Sequence, residues 1–325
     1  MTVDKLMETD KRNGVLNSFE ATDVKIEPKF SYRFFVFFSF RLNIFEYICK
    51  KKIDNFTSFR KHEMRFKLYL SIDKHTFGNR LPFNYQYELS AVIYKILAGA
   101  NQAFAEWLHD NGFVSDKKIF KLFSFSRLQI PQYRTEGRFL KILSDTAEWY
   151  LSFLPERSTQ DFIQGVFREQ QFELGNRQAR IRCRVQSIEM LPLPQFTEHM
   201  SFRTLSPMCL TLKRENGTDE YVAPDHPMAK ELIRQNLLDK YKASTGNDFA
   251  DKNFAFDFAI TNQPRSSLIT IKADTPRESK IRAFSCDFQL TAPVELMKIC
   301  YDCGIGSKNS LGFGMVGEKK KKQIY

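Results

Sequence analysis

Five histidines occur in this chain of 325 residues: His62, His75, His109, His199 and His226. An imidazole titrates near pH 6.5, so it can take up or give away a proton at working pH. His109 stands in WLHDNGF, at the end of a long helical pattern. The C-terminal end of a helix favours a protonated imidazole. Position alone fits a histidine that merely caps that helix end at least as well. Tyr94 lies fifteen residues earlier in the same pattern, which in a straight helix is a rise of about 22 Å. Both side chains reach one site only if the helix breaks. The segment AGANQ, residues 98–102, with Gly99 and Asn101, offers such a break. Lys117, Lys118 and Lys121 follow His109.

A second constellation lies near the end of the sequence, in CGIGSKNSLGFGMV. Gly304, Gly306, Gly312 and Gly314 form two G-x-G pairs with Lys308 between them, in a chain with only 14 glycines. Such a loop can turn several N–H groups towards one anion. No GK[ST] follows, so the spacing of a P-loop is missing. The glycines come after a helical pattern and before a strand, the reverse of a dinucleotide fingerprint. A nucleotide is therefore a poor candidate. Two readings are left: an RNA backbone phosphate held by peptide N–H groups, or a tight structural link between helix and strand.

Composition bears on that choice. Lys and Arg number 49 against 38 Asp and Glu, a net charge of +11. That excess favours a polyanionic partner, nucleic acid first. In ARIRCRV, Arg180, Arg182 and Arg184 alternate with Ile181, Cys183 and Val185, placing three guanidinium groups on one face of one strand. RNA contact and a solvated sheet face explain that row about equally. Six scattered cysteines suit reduced intracellular thiols better than a disulfide framework. Cys300 and Cys303 form one C-x-x-C. A zinc site needs four ligands and there is no second close pair, so both are expected to face a core from a helix. The expectation is no metal and no cofactor.

These residues need elements to position them. RFKLYLSI alternates with period two, as a half-buried strand does. A helical pattern runs over 85–110, ended by Asn111-Gly112. IFKLFSFS, RFLKILS and EWYLSFL read as strands, STQDFIQGVFREQ as a helix, and ARIRCRVQSIEML as the closing strand. The second half repeats the order. MSFRTLSPMCLTLK is followed by the helix PMAKELIRQNLLDKYKAST, then strands NFAFDFAI, LITIKA and KIRAFSCDFQL, the helix PVELMKICYDC, and the strand GFGMVGE. Each half is β-α-β-β-α-β with an additional strand. The expected class is α+β, two tandem ferredoxin-like (RRM-like) domains with antiparallel sheets. Their limits are 64–191 and 192–325, with two prolines in the linker LPLPQFTEH. Residues 1–63 are aromatic, yet Arg41, Asn43 and Glu46 interrupt them, so neither a spanning helix nor a signal peptide is expected. They are expected to be an extension, with the native product beginning at Met64.

The chain resembles the CRISPR-associated endoribonucleases that cut precursor CRISPR RNA within its repeats, members of the repeat-associated RNA-binding superfamily. The resemblance runs from about Met64 to Glu318. It is carried by GIGSKNSLGFGMV, LPFNYQYELSAVIYKIL, WLHDNGF and FRTLSPMCL, in that family's order along the chain. It implies tandem ferredoxin-like domains and metal-free cleavage, in which a 2′-hydroxyl attacks the neighbouring phosphate. The products would be a 2′,3′-cyclic phosphate and a 5′-hydroxyl. It implies that His109 is catalytic, that Tyr94 acts near the 2′-hydroxyl, and that a lysine stabilises the developing phosphate charge. Lys121 is preferred to Lys117 and Lys118 because it directly precedes its strand. It also implies that Gly304, Gly306, Lys308, Asn309, Gly312 and Gly314, with Ser310 an alternative to Asn309, contact RNA. CRISPR repeat RNA is the expected partner, in the cytoplasm and away from membranes. Effector-complex subunits and a second copy of the chain are the protein partners it allows. The alternative function is a non-catalytic RNA-binding subunit of an effector complex.

Overall fold

The computed structural model describes residues 65–273 and 275–319. The expectations for residues 1–63 and for a start at Met64, like His62, lie outside the described residues. The first half comprises β1 (Arg65–Asp73), α1 (Gln86–Ala100), α2 (Gln102–Asp110), β2 (Phe123–Phe125), β3 (Thr146–Phe153), α3 (Glu156–Arg168), β4 (Gln171–Gly175) and β5 (Arg180–Met190). Its sheet has the order β2-β3-β1-β5-β4, and every neighbouring pair is antiparallel. The second half comprises β6 (His199–Thr204), α4 (Ala229–Thr245), β7 (Asp257–Ile260), β8 (Asp287–Thr291), α5 (Val294–Cys303) and β9 (Val316–Glu318). Its sheet has the order β7-β8-β6-β9, again antiparallel. In both sheets the first strand lies between the third and the closing one, the ferredoxin-like order. β4 is the additional strand at an edge.

Period-two alternation places Phe66, Leu68, Leu70 and Ile72 of β1 on the buried face. Leu89, Val92, Ile93, Ile96 and Leu97 recur at helical spacing on α1 and pack against them, with Trp149, Phe153 and Phe162. Each such side chain contributes about 1.5–3 kcal/mol by burial. A second core joins Phe202, Phe288 and Leu290 to Ile233, Leu237, Leu296 and Met297. Cys300 and Cys303 are buried on α5, as helix residues facing a core.

Four expected elements are divided. KIRAFSCDFQL is two strands: Ser279–Ser285 pairs with Arg265–Ile271 in a separate hairpin, and Asp287–Thr291 is β8 of the second sheet. The 85–110 helix is two helices that meet at Asn101. IFKLFSFS is cut at Lys121–Leu122, where Leu122 has φ +52°. Its first part, Lys118–Phe120, pairs instead with Phe113–Ser115 in a hairpin. MSFRTLSPMCLTLK is cut into β6 and Leu210–Lys213. In the gap, Ser206 Oγ accepts from the Met315 N–H at 2.9 Å, so this stretch serves the glycine loop rather than the sheet.

The two halves are joined through buried polar groups. Arg65 of β1 is 2% exposed. Its guanidinium donates to the carbonyls of Val316, at 2.6 Å, and Tyr301, and lies 3.5 Å from the centre of the Tyr301 ring. Both carbonyls belong to the second half. Replacing Arg65 with methionine leaves them buried without that donor, a cost of about 1–3 kcal/mol each. The Arg65→Met protein is expected to be destabilised by about 3 kcal/mol or more in a urea melt. An unchanged midpoint and slope would show that the guanidinium does not hold the seam.

Candidate active site

Asn101 brings Tyr94 and His109 together. Its backbone is extended, at φ −150° and ψ 92°, so it ends α1. Its N–H still donates to Leu97 O at 2.8 Å, while its side chain accepts from the Phe104 N–H at 3.0 Å and caps α2. The chain turns, and the rings of Tyr94 on α1 and His109 on α2 meet edge to face with centroids 5.2 Å apart. The break at residues 98–102 is present, and the 22 Å separation of a straight helix is removed.

Lys121 completes the cluster. After α2 the chain turns at Gly112, φ +65°, into the hairpin Phe113–Phe120, which returns it beside the helix end. Lys121 Nζ donates to the His109 carbonyl at 2.6 Å. Gly112 has a second task that the sequence did not show. A Cβ there would stand 2.6 Å from Phe120 O and 3.0 Å from Lys121 Cδ. Lys118 is directed elsewhere: its ammonium pairs with Asp239 of α4. Of these two lysines, Lys121 is the one that stands against the end of α2 that carries His109.

Asp110 is a member that sequence reasoning passed over, although it adjoins His109. Its Oδ1 lies 2.7 Å from His109 Nδ1. An imidazole that gives Nδ1–H to Asp110 leaves Nε2 free to exchange a proton. Burial, and then the charge of Asp110, raise the Tyr94 phenol well above its ordinary value. Tyr94 therefore stays a neutral hydroxyl at working pH. Burial lowers the Lys121 ammonium, against a smaller opposing effect of Asp110. Among the described residues, no group of three or more His, Cys, Asp or Glu is placed to hold a metal ion.

The glycine loop is occupied by the protein itself. Lys240 of α4, fully buried, donates to the carbonyls of Gly304 at 2.7 Å and Gly306 at 3.0 Å, and burial brings its ammonium down to about 8. Asn309 Nδ2 crosses the loop to Ile305 O at 3.2 Å and Phe313 O at 3.0 Å. The N–H groups of Gly312 and Gly314 donate to Asn309 O and Pro207 O, at 3.0 and 2.8 Å. At Gly312 and Gly314 the N–H donors are therefore spent inside the fold, so the expectation of bare N–H groups facing RNA phosphate does not hold at these two positions. A Cβ on Gly314 would meet Ile305 O at 1.9 Å, and one on Gly312 would meet the Phe125 ring at 2.9 Å and Gln86 Cβ at 3.0 Å. Close packing explains the glycines: Gly312 is tight against the first half, and Gly304, Gly306 and Gly314 against the second half's own backbone. Ser90 Oγ of α1 also donates to Ser310 O, at 2.6 Å. Lys308 Nζ lies 3.9 Å from Asp219 and 5.8 Å from the centre of the Tyr221 ring, on the neighbouring hairpin.

The arginine row does lie on one face of β5. Arg180 and Arg182 pair with Glu173 of β4 at 3.1 and 3.3 Å and stack on Phe77. With the Gln171 amide turned to satisfy both groups, its oxygen accepts from Arg184 Nε at 2.9 Å. These contacts tie the row to β4, the edge strand of the first sheet.

Comparison with known proteins agrees with this architecture. The family model for the N-terminal part of CRISPR-associated protein Cas6 matches residues 80–183, and that for its C-terminal part matches residues 191–318. The CRISPR-associated endoribonuclease Cas6 1 of Methanocaldococcus jannaschii is 31% identical over 261 residues, covering 79% of this chain and 93% of that one. The CRISPR-associated endoribonuclease Cas6 of Pyrococcus furiosus is 28% identical over 268 residues, covering 80% and 93%. The solved structure of a Cas6-related protein of Pyrococcus furiosus has the same fold, with a TM-score of 0.68 at 23% identity over 80% of this chain and 99% of that one. Both halves match in order, and nearly the whole length of the curated relatives is spanned: the chain belongs to the Cas6 family of CRISPR-associated endoribonucleases.

Proposed function

We propose that this endoribonuclease cuts precursor CRISPR RNA within its repeats without a metal, using His109, Tyr94 and Lys121. The observation that carries the reading is the meeting of Tyr94 and His109 across the Asn101 break, 5.2 Å between ring centroids, with Lys121 against the His109 carbonyl. The curated relatives named as endoribonucleases support the substrate class.

The reaction is an internal transesterification. A ribose 2′-hydroxyl gives up its proton and its oxygen attacks the adjacent phosphorus. The bond to the 5′-oxygen breaks, and that oxygen leaves with a proton as a 5′-hydroxyl. The other product is a 2′,3′-cyclic phosphate, and the proton count balances without water. His109, oriented by Asp110, handles a proton. Tyr94, held as a phenol, positions the 2′-hydroxyl by a hydrogen bond. Lys121 supplies positive charge beside the phosphorane-like oxygens, and its lowered affinity for protons lets it share one with the leaving oxygen. No step needs a Lewis acid.

The net charge of +11 suits the RNA partner. The arginine row on β5 is a candidate contact for the RNA backbone, which would compete with Glu173 for Arg180 and Arg182 and with Gln171 for Arg184. Lys308 is a candidate of the same kind, competing with Asp219.

Incubated with a CRISPR repeat RNA in excess EDTA, the purified protein is expected to cleave once per repeat and leave a cyclic phosphate. Mass spectrometry of the fragments reads the end group. A strict need for Mg²⁺, or a 3′-hydroxyl product, would contradict the mechanism. Tight binding with no cleavage would favour a non-catalytic RNA-binding subunit. The Gly112→Ala protein tests the packing of the site. Its new methyl group displaces Lys121 or the Phe120 carbonyl, and cleavage is expected to slow roughly tenfold or more, on the scale of a misplaced catalytic group. Cleavage at the wild-type rate would show that Lys121 does not need its observed position.

A further inference from the structure

One helix of the second half holds the hairpin that delivers Lys121. The strands Phe113–Ser115 and Lys118–Phe120 form that hairpin, turning at Asp116 with φ +52°. Lys121 follows directly, and Leu122, φ +52°, then turns the chain into β2. The aim of Lys121 is thus set by the hairpin on one side and the sheet on the other. The hairpin itself exposes Val114 and Ile119 and is clamped by charge. Lys118 reaches across to Asp239 of α4, whose carboxylate is buried and is also held by Gln235 Nε2 at 2.8 Å. Lys242, one turn further along α4, pairs with Asp116 at the hairpin turn at 3.0 Å, and with Asp248 at the same distance.

We propose that Asp239 is a positioning residue for the cleavage reaction: through Lys118 it fixes the hairpin and so aims Lys121. A buried carboxylate takes one cationic partner at a fixed point, whereas an exposed pair tolerates many geometries. Lys242–Asp116 is the exposed, adaptable half of the clamp, and Asp239–Lys118 is the half that sets position. Lys240, between them in sequence, faces the glycine loop and holds its carbonyls. The loop packs on α1, the helix of Tyr94, through Ser90 and Ser310. One turn of α4 therefore bears on both sides of the candidate site. This inference rests on the catalytic reading of Lys121.

A double-mutant cycle separates the two claims. Single-turnover cleavage of a CRISPR repeat RNA at saturating protein is measured for Asp239→Asn, Lys121→Ala and the double variant, with RNA affinity alongside. Asp239→Asn is expected to cut the rate roughly tenfold or more with unchanged affinity. In the Lys121→Ala background it is expected to do nothing further, because its effect passes through that ammonium. Lys118→Gln, changed at the exposed end of the pair, is expected to behave as Asp239→Asn, and Lys118→Arg to keep most of the rate. Lys118→Gln reads the same effect if Asp239→Asn fails to fold. A slow Lys121→Ala with wild-type rates for folded Asp239→Asn and Lys118→Gln would overturn the positioning role alone. Losses that multiply fully in the double variant would do the same. A wild-type rate for Lys121→Ala would overturn the catalytic reading of that lysine, and the positioning role with it.

Discussion

The candidate site depends on the way Asn101 ends one helix and begins the next. Its N–H completes α1 at Leu97 O, and its side chain caps α2 at Phe104. Both bonds satisfy groups that a helix end would otherwise leave open, so the break costs little. It turns α2 back on α1 and replaces the long rise of a continuous helix by a ring contact. The later steps follow from where α2 then ends. Gly112 makes the sharp exit, the hairpin returns the chain, and Lys121 arrives against the last turn of α2.

The division of labour between the halves has a physical reason. The three groups assigned to the chemistry lie in the first half: Tyr94 on the core helix α1, His109 at the end of the short α2, and Lys121 just after the hairpin. The second half supplies buried, oriented charges that hold those segments. Lys240 and Asn309 shape the glycine loop from inside, and the loop seats on Gln86, Ser90 and Phe125. Arg65 closes the seam from the other direction. Buried ionic groups of this kind contribute modestly to net stability but permit few alternative arrangements, which suits a site that relies on positioned side chains.

Much of this was legible in the sequence where the signal is local. Strand alternation in RFKLYLSI and helical spacing over 85–110 survive in the structure, and two rounds of β-α-β-β-α-β led directly to two ferredoxin-like sheets. Gly99 and Asn101 marked a break that one of them, Asn101, makes. The glycine loop was read only halfway. Positive φ can be inferred from four glycines, but what lies beside each missing Cβ cannot, and here it is protein. Asp239 and Lys240 were hidden for the same reason. In LLDKYK they look like a solvated helix face, because the groups that bury and pair them, Lys118 and the carbonyls of Gly304 and Gly306, come from distant parts of the chain. Sequence position favoured Lys121 over Lys118 only as the residue before its strand; their different partners, Asp239 and the His109 carbonyl, depend on the hairpin fold.

The central claim is that His109, brought to Tyr94 by the helix break, transfers a proton in RNA cleavage. The most direct measurement is the single-turnover rate of His109→Ala on a repeat RNA, with affinity measured on the same preparation. The account predicts a fall of roughly 10²-fold or more, the scale of general acid–base catalysis, with RNA binding nearly unchanged. A wild-type cleavage rate in the folded variant would contradict it.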